Sequence, residues 1–331
     1  MNAPPHWQPA ATLEALHLRA KIVTAIRNFF TARDVLEVDT PALMHGASTD
    51  LQLHSLTTRY TGPLAAQGIQ LYLHTSPEFA MKRLLASGCG SIYQISKVFR
   101  DGEYGRWHNP EFTLLEWYRP GYDHHALMDE VAALITCLPK LALMDNERIR
   151  YGDLFQRYAG INPHTASRNE LRECALSHGL DMAEPTTADR DTWLDLLLTH
   201  SIIPQLPPDH LYFIYDYPAS QAALARIRPA TPGQQPALAE RFELYINGIE
   251  LANGFHELSD SAEQRRRFEL DNVRRCEQGL PPMPLDEHLL AALAHGLPAC
   301  AGVALGIDRL LMLAGGYSHI SEVIAFPFER A

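Results

Sequence analysis

Apolar positions along the chain change period several times, and each change predicts an element. Leu13, Leu16, Ala20, Val23, Ile26 and Phe30 recur at helical spacing, which predicts a helix over 13–33 with that stripe buried. Residues 35–43 (VLEVDTPAL) read as a strand, and Pro41 confines it to an edge or an irregular end. Thr75-Ser76-Pro77-Glu78 forms a helix start, with Ser at the cap, Pro at the first helical position and Glu in the first turn. That helix is expected to stop near Gly88.

Residues 93–118 read as two strands joined by a long polar loop. Side chains alternate faces along a strand, so Phe112, Leu114, Glu116 and Tyr118 share one face and Thr113, Leu115 and Trp117 the other. A Glu and a Tyr on an otherwise apolar face are costly to bury without partners. From about 123 to 208 the pattern is mostly helical, with Gly or Pro stops, and predicts a helical insertion between strands. Residues 211–217 (LYFIYDY) read as a buried strand ending at Pro218, and 231–236 as a loop.

Asn247-Gly248 between alternating runs predicts a hairpin over 241–260. A two-residue turn pairs Ile246 with Ile249, Tyr245 with Glu250 and Glu243 with Ala252. Glu243, Tyr245, Glu250 and Ala252 then face one side, with the two carboxylates about 7 Å apart at Cα. Such a pair repels unless a positive group lies between, and Mg²⁺ suits it. Asn253, Gly254 and Glu257 continue the same stretch. Residues 302–313 (GVALGIDRLLML) predict an apolar strand passing through Gly306 into a helix that begins near Asp308-Arg309. A glycine there admits close ligand approach, and the helix start with Arg309 suits phosphate.

Composition narrows the classes. The 331 residues are 46% hydrophobic and 20% charged, as in a globular enzyme of one large domain or two smaller ones. A net charge of −11 without a dense Lys/Arg run argues against a large nucleic-acid footprint. Five cysteines without a C-x-x-C pair argue against a zinc site or a disulfide framework and suit a reducing compartment. No leader-type apolar region and no span-length apolar run occurs, so a cytoplasmic protein without membrane attachment is expected.

Three stretches in this order, VLEVDTPAL, FR…HNPEFTLLEWY and GVALGIDRL, resemble the three signature motifs of class II aminoacyl-tRNA synthetases. The closest resemblance is to the lysyl branch, and RFELYINGIELANGFHEL also looks lysine-specific. Motif 1 begins near residue 35, which leaves no room for an anticodon-binding domain. That feature, with the wording of residues 105–123 and 219–225 and Ala304 where lysyl-tRNA synthetases usually have Gly, is similar to the stand-alone branch that modifies translation elongation factor P. An added methyl on a pocket wall is a way to favour a β-amino acid.

The resemblance implies an α/β (α+β) fold, an antiparallel sheet of six or seven strands flanked by helices, as one catalytic domain over 13–331 after a lead-in over 1–12. It implies a homodimer through motif 1. It implies ATP-dependent activation of (R)-β-lysine (or lysine) and transfer to a lysine of elongation factor P. The alternative is a lysyl-tRNA synthetase-like core acting on tRNA or another acceptor, against which the acidic charge and absent anticodon module weigh. Arg100 and Arg309 are expected at the ATP phosphates as the catalytic cations, with Asp101, Gly102, Asn109, Glu243, Leu244 and Gly306 around the nucleotide. Glu243 and Glu250 are expected to hold Mg²⁺. Ser76, Pro77, Glu78, Glu116, Tyr118, Glu250, Asn253, Glu257 and Ala304 are expected to contact the amino acid. Motif 2 departs from the usual Arg-x-Glu, reading Arg100-Asp101-Gly102-Glu103.

Overall fold

The computed structural model describes residues 7–65, 67–141, 145–181, 188–231, 233 and 236–331. Residues 1–6 of the expected lead-in, 142–144 and 182–187 of the expected insertion, and 232, 234 and 235 of the expected loop lie outside the described residues. The chain divides into two compact units: Met1–Tyr122, Ala133–Ala142 and Ser259–Ala331 form one, and Asp123–Ala132 with Leu143–Leu258 the other.

The first unit opens with α1 (Leu13–Thr31), capped by the Thr12 side chain, which accepts the Ala15 amide at 3.2 Å. Its buried face is Ala15, Leu18, Ile22, Ile26, Phe29 and Phe30. This corrects the expected stripe: Leu13 is 74% exposed, and only Ile26 and Phe30 belong to both sets. Both stripes fit a helical period, and the phase is set by what the helix meets. Phe30 stacks on Tyr93 at 4.5 Å between centroids and meets Trp117 edge-on at 5.3 Å.

Motif 1 does not form one strand. Pro41 and its neighbours split it into β1 (Leu36–Glu37) and β2 (Leu43–Met44), which join different sheets. β2 pairs with β4 (Ile69–Leu73), which pairs in turn with β3 (Thr57–Tyr60). α2 (Glu78–Ala86) follows, with Ser76 Oγ accepting the Glu78 amide at 3.0 Å. The central hairpin is β5 (Ile92–Phe99) and β6 (Glu111–Pro120), in register from Ile92 opposite Tyr118 to Phe99 opposite Glu111. β1 lies parallel to β5, so this sheet is not wholly antiparallel.

In the second unit, the stretch expected to be helical carries, among the described residues, α3 (His124–Thr136), whose last residues belong to the first unit, then a strand, β7 (Asp145–Arg150), and three further α-helices. These are α4 (Tyr151–Ala159), α5 (Arg168–Ser177) and α6 (Arg190–Leu197). The strand was not legible because DNERIR has no apolar alternation; it forms as a parallel partner of β8 (His210–Pro218). Tyr151, Phe155, Trp193, Leu194 and Leu197 make a core with Tyr212 and Ile214 of β8. β9 (Ile227–Arg228) and β8 both pair with β10 (Leu238–Ile246), and β10 continues through the Asn247-Gly248 turn into β11 (Ile249–His256). Asn247 and Gly248 have φ of 51° and 77°, the left-handed pair that a type I′ turn requires.

The register of this hairpin corrects the expected one. Ile246 pairs with Ile249 and Tyr245 with Glu250, but a bulge then places Ala252 opposite Leu244 and Asn253 opposite Glu243. The extra residue, Leu251, shifts every later position by one. Glu243 therefore sits across from Asn253 rather than Ala252.

The first unit resumes with α7 (Ser261–Glu277), α8 (Glu287–Gly296), β12 (Cys300–Gly306) and α9 (Ile307–Gly315). β12 is antiparallel to β6, with Ala304 opposite Glu116, Gly302 opposite Tyr118 and Gly306 opposite Leu114. Among the described residues, no helix is long and apolar enough to cross a membrane.

Candidate functional site

Within the first unit, the β5–β6–β12 face and the start of α2 build a buried acidic pocket. Glu116 is 2% exposed. Ser76 Oγ donates to one of its oxygens at 2.8 Å, and the Tyr118 hydroxyl donates to the other at 2.6 Å. Pro77 forms the turn that brings Ser76 and Glu78 to the helix start. Glu78 accepts from the Lys82 ammonium at 2.6 Å, one helical turn on. Burial, and then the charge of Glu78, push the Glu116 carboxyl up to about 7, against the pull of Tyr118, Ser76 and Lys82. A carboxyl whose pKa is raised this way gains from any cation that enters. Ala304 stands across the ladder from Glu116, where a β-carbon narrows the same face.

The two expected cations lie in the same unit. Arg100 ends the strand region at the loop, its side chain 3.4 Å from the Thr75 carbonyl and from Glu103, over the Phe112 ring at 5.0 Å. The late glutamate of the motif 2 departure thus reaches back to Arg100, because Gly102 turns the chain with φ of 78°. Asp101 is exposed, its amide bound to the His54 carbonyl at 2.8 Å. Asn109 is buried and fixed locally: its amide donates to the Glu111 carbonyl at 2.6 Å and its oxygen accepts the Phe328 amide at 3.1 Å. Arg309, in the first turn of α9, approaches the His108 ring nitrogen at 2.8 Å and the Trp107 carbonyl at 3.3 Å. Burial and the Arg309 charge hold the His108 pKa down, so its neutral ring accepts that hydrogen bond at neutral pH. Gly306 is the cap of α9, where an added Cβ would first meet the Arg309 side chain, at 3.8 Å.

Asp308 sits between these groups but does a different job. It is 1% exposed, accepts the Thr113 amide at 2.6 Å and forms an ion pair with Arg19 of α1. It ties α9 to β6 and to α1.

In the second unit, Glu243 is buried and already neutralised. Arg241 forms an ion pair with one oxygen, and the Tyr217 and Tyr245 hydroxyls each donate to the other at 2.7 Å. Arg241 also donates to Asn253 at 3.2 Å and lies over the Tyr217 ring at 4.6 Å. Burial, then the Glu243 charge, holds both tyrosine pKa values well above the ordinary one. The positive group beside Glu243 is therefore a guanidinium. About one of the four acceptor positions of its carboxylate remains, and Glu250, half-buried on β11, is the more accessible of the pair. The set suits Mg²⁺, which keeps waters and takes only one or two carboxylates. Leu244 has a fully buried side chain, and Glu257 is buried next to the Ala225 bridge.

His124, Glu240 and His256 bring possible metal-ligand atoms within 4.8 Å of one another. Their surroundings oppose a divalent ion. Arg226 donates to Glu240 at 2.8 Å, Arg228 to Asp216 at 2.8 Å, and Arg150 stands 3.9 Å from Asp216. Hydrogen bonds from His256 and Arg226 outweigh burial and hold Glu240 down at about 2. Three guanidiniums, against the one beside Glu243, already match these carboxylates and repel a further cation.

The sequence reading missed Lys82, Arg241, Gln94 and Asp308. Two carried local signals: Lys82 is four residues after Glu78 on one helix, and Arg241 is two before Glu243 on one strand face. Gln94 and Asp308 needed the partner strand.

Residues 7–330 match the family of tRNA synthetases class II (D, K and N). The chain is 54% identical over 326 residues to the "Elongation factor P--(R)-beta-lysine ligase" of Vibrio cholerae serotype O1, covering 98% of each chain. It is 53% identical over 327 residues to the protein of that name from Vibrio parahaemolyticus, covering 98% of this chain and 99% of the relative. It is 50% identical over 325 residues to the one from Klebsiella pneumoniae strain 342, covering 98% of each.

Proposed function

The chain belongs to the class II tRNA synthetase family of the D, K and N type, and from that premise we propose that it is an ATP-dependent ligase that activates (R)-β-lysine as its adenylate and transfers it to a lysine ε-amino group of translation elongation factor P. The relatives named for that activity over nearly the whole chain support the acceptor and the substrate. The observation that carries the reading is the Ser76–Glu116–Tyr118 pocket beside Glu78. A buried carboxyl whose pKa is raised to about 7, next to the half-buried carboxylate of Glu78, suits a substrate with ammonium groups.

The substrate carboxylate attacks the α-phosphorus of ATP and pyrophosphate leaves. The acceptor amine then attacks the acyl carbon, and AMP leaves. Both partners of the first step are anionic, so cations must offset their repulsion. Arg100 and Arg309 fill that role, with Asp101, Gly102, Asn109, Glu243, Leu244 and Gly306 assigned to the nucleotide. Glu243 and Glu250 would hold Mg²⁺, which supplies further neutralisation of phosphate charge. Ser76, Pro77, Glu78, Glu116, Tyr118, Glu250, Asn253, Glu257 and Ala304 are assigned to the amino acid. The protein acts in the cytoplasm as a homodimer through motif 1; Leu36 and Leu43, exposed to 55% and 49%, supply apolar surface there. Residues 13–331 act as one catalytic domain, and tRNA is not the acceptor.

Intact-mass analysis of elongation factor P after incubation with ATP and each lysine isomer tests the reading. A gain of one lysyl unit, faster with (R)-β-lysine than with α-lysine, is the expected result. An unmodified factor together with charged tRNA would favour the synthetase alternative.

Protonation of Glu116 gives a second test. Its folded pKa, about 7, lies above the ordinary 4.5, so its contribution to stability is present below 4.5 and lost as pH rises through about 7. A bound ammonium favours the ionised form and reverses this. Affinity for lysine-type substrates should rise with pH across 6–8, with proton release on binding at pH 6. Calorimetry in two buffers of different ionisation enthalpy measures that release. It should vanish in Glu116→Gln, and its absence in the wild type would remove Glu116 from the binding site.

A further inference from the structure

Gln94 is a buried polar group of the first unit that the mechanism above does not use. It is 1% exposed. Neither its Nε2 nor its Oε1 finds a hydrogen-bond partner among the described residues. It lies on β5 directly opposite Glu116, and Glu116 lies directly opposite Ala304 on β12. Residues opposite one another on adjacent antiparallel strands project from the same face. Gln94, Glu116 and Ala304 are therefore one row across three strands, with Ile92, Tyr118 and Gly302 as the next row.

Burying a primary amide with both ends unmatched costs stability, and native proteins rarely tolerate it without a use. We propose that Gln94 is a further substrate-recognition residue. Its Oε1 accepts a hydrogen bond from the ammonium of the amino acid held beside Glu78 and Glu116, and its Nε2 donates to an oxygen of the same ligand. The proposal rests on the functional reading above and adds the neutral member of that pocket. The electrostatics explain why the member is neutral. Glu116 is already forced towards its protonated form by burial and by Glu78, so a third carboxylate would stay protonated or repel the other two. An amide adds an acceptor with no charge. It also reads position rather than charge alone, since its one acceptor and two hydrogens lie in a fixed plane. It flanks Glu116 on the side opposite Ala304, so the row runs amide, carboxyl, methyl across the three strands.

Gln94→Leu separates this from a structural role, because the two roles predict opposite shifts. Leucine removes both unmatched polar atoms and fits an apolar row, so the melting temperature should hold or rise. In ATP–pyrophosphate exchange, the KM for (R)-β-lysine should rise about tenfold or more, with the KM for ATP unchanged. Gln94→Met, closer in shape, should behave the same way and guards against a packing defect peculiar to leucine. A lowered melting temperature in both variants, or an unchanged amino-acid KM, would overturn the proposal. Wild-type protein that exchanges with neither lysine isomer would instead overturn the functional reading. In that case the melting comparison still decides Gln94, since a fall in both variants assigns its amide to the fold.

Discussion

Arg309→Ala should reduce ATP–pyrophosphate exchange by about three orders of magnitude while the protein melts within about 2 °C of wild type. The side chain leaves the first turn of α9 and meets His108 and the Trp107 carbonyl. The helix start adds free amides and the positive end of its dipole, so Arg309 stands where an anion is already favoured. Its removal deletes a planar cation from the transition state and leaves α9 intact, because the buried residues Ile307, Leu310 and Leu311 hold the helix in place. Arg309→Lys should recover little, since a point charge cannot make the paired contacts of a guanidinium. Exchange retained within tenfold in Arg309→Ala would show that phosphate is handled elsewhere.

The neighbouring residue should give the opposite result. Asp308→Ala should cost about 3 kcal/mol of stability, read as a fall in melting temperature of roughly 4 °C for a chain of this length. The carboxylate is 1% exposed, and its loss strands the Thr113 amide and the Arg19 guanidinium. Arg19 keeps the Val323 carbonyl at 3.0 Å, a neutral partner that cannot replace an anion. Asp308→Asn should fall between, because an amide oxygen can still accept from Thr113 but no longer balances Arg19. A melting temperature for Asp308→Ala within about 2 °C of wild type would mean that the α1–β6–α9 junction is held by packing alone. These outcomes would divide adjacent positions of one motif, Gly-Ile-Asp-Arg, into one that serves the fold and one that serves the proposed phosphate chemistry. Helical geometry causes this: successive residues point about 100° apart, so Asp308 turns to the core when Arg309 turns towards Trp107 and His108.

Much of the local structure was legible because it follows from near neighbours. The Asn247-Gly248 turn, the Ser76–Glu78 helix start and the faces of β6 needed only backbone preference and a period of two. The departures came where two answers fit the local pattern. The apolar stripe of α1 has more than one helical phase, and Phe30 against Tyr93 and Trp117 selects the one observed. The β10–β11 ladder has more than one register, and the Leu251 bulge moves Glu243 from Ala252 to Asn253.

The sequence by itself determined the family and the order of its motifs, and nominated the carboxylates, arginines and glycine they carry as site candidates. Tertiary structure decided who neutralises whom. Lys82 sits on Glu78, and Arg241 with two tyrosines sits on Glu243. Strand register decided that Gln94 and Ala304 flank Glu116. Periodicity constrains what a residue shares a face with along its own strand. What lies across the ladder depends on pairing between segments far apart in the chain, and burial there is what raises the Glu116 carboxyl to about 7.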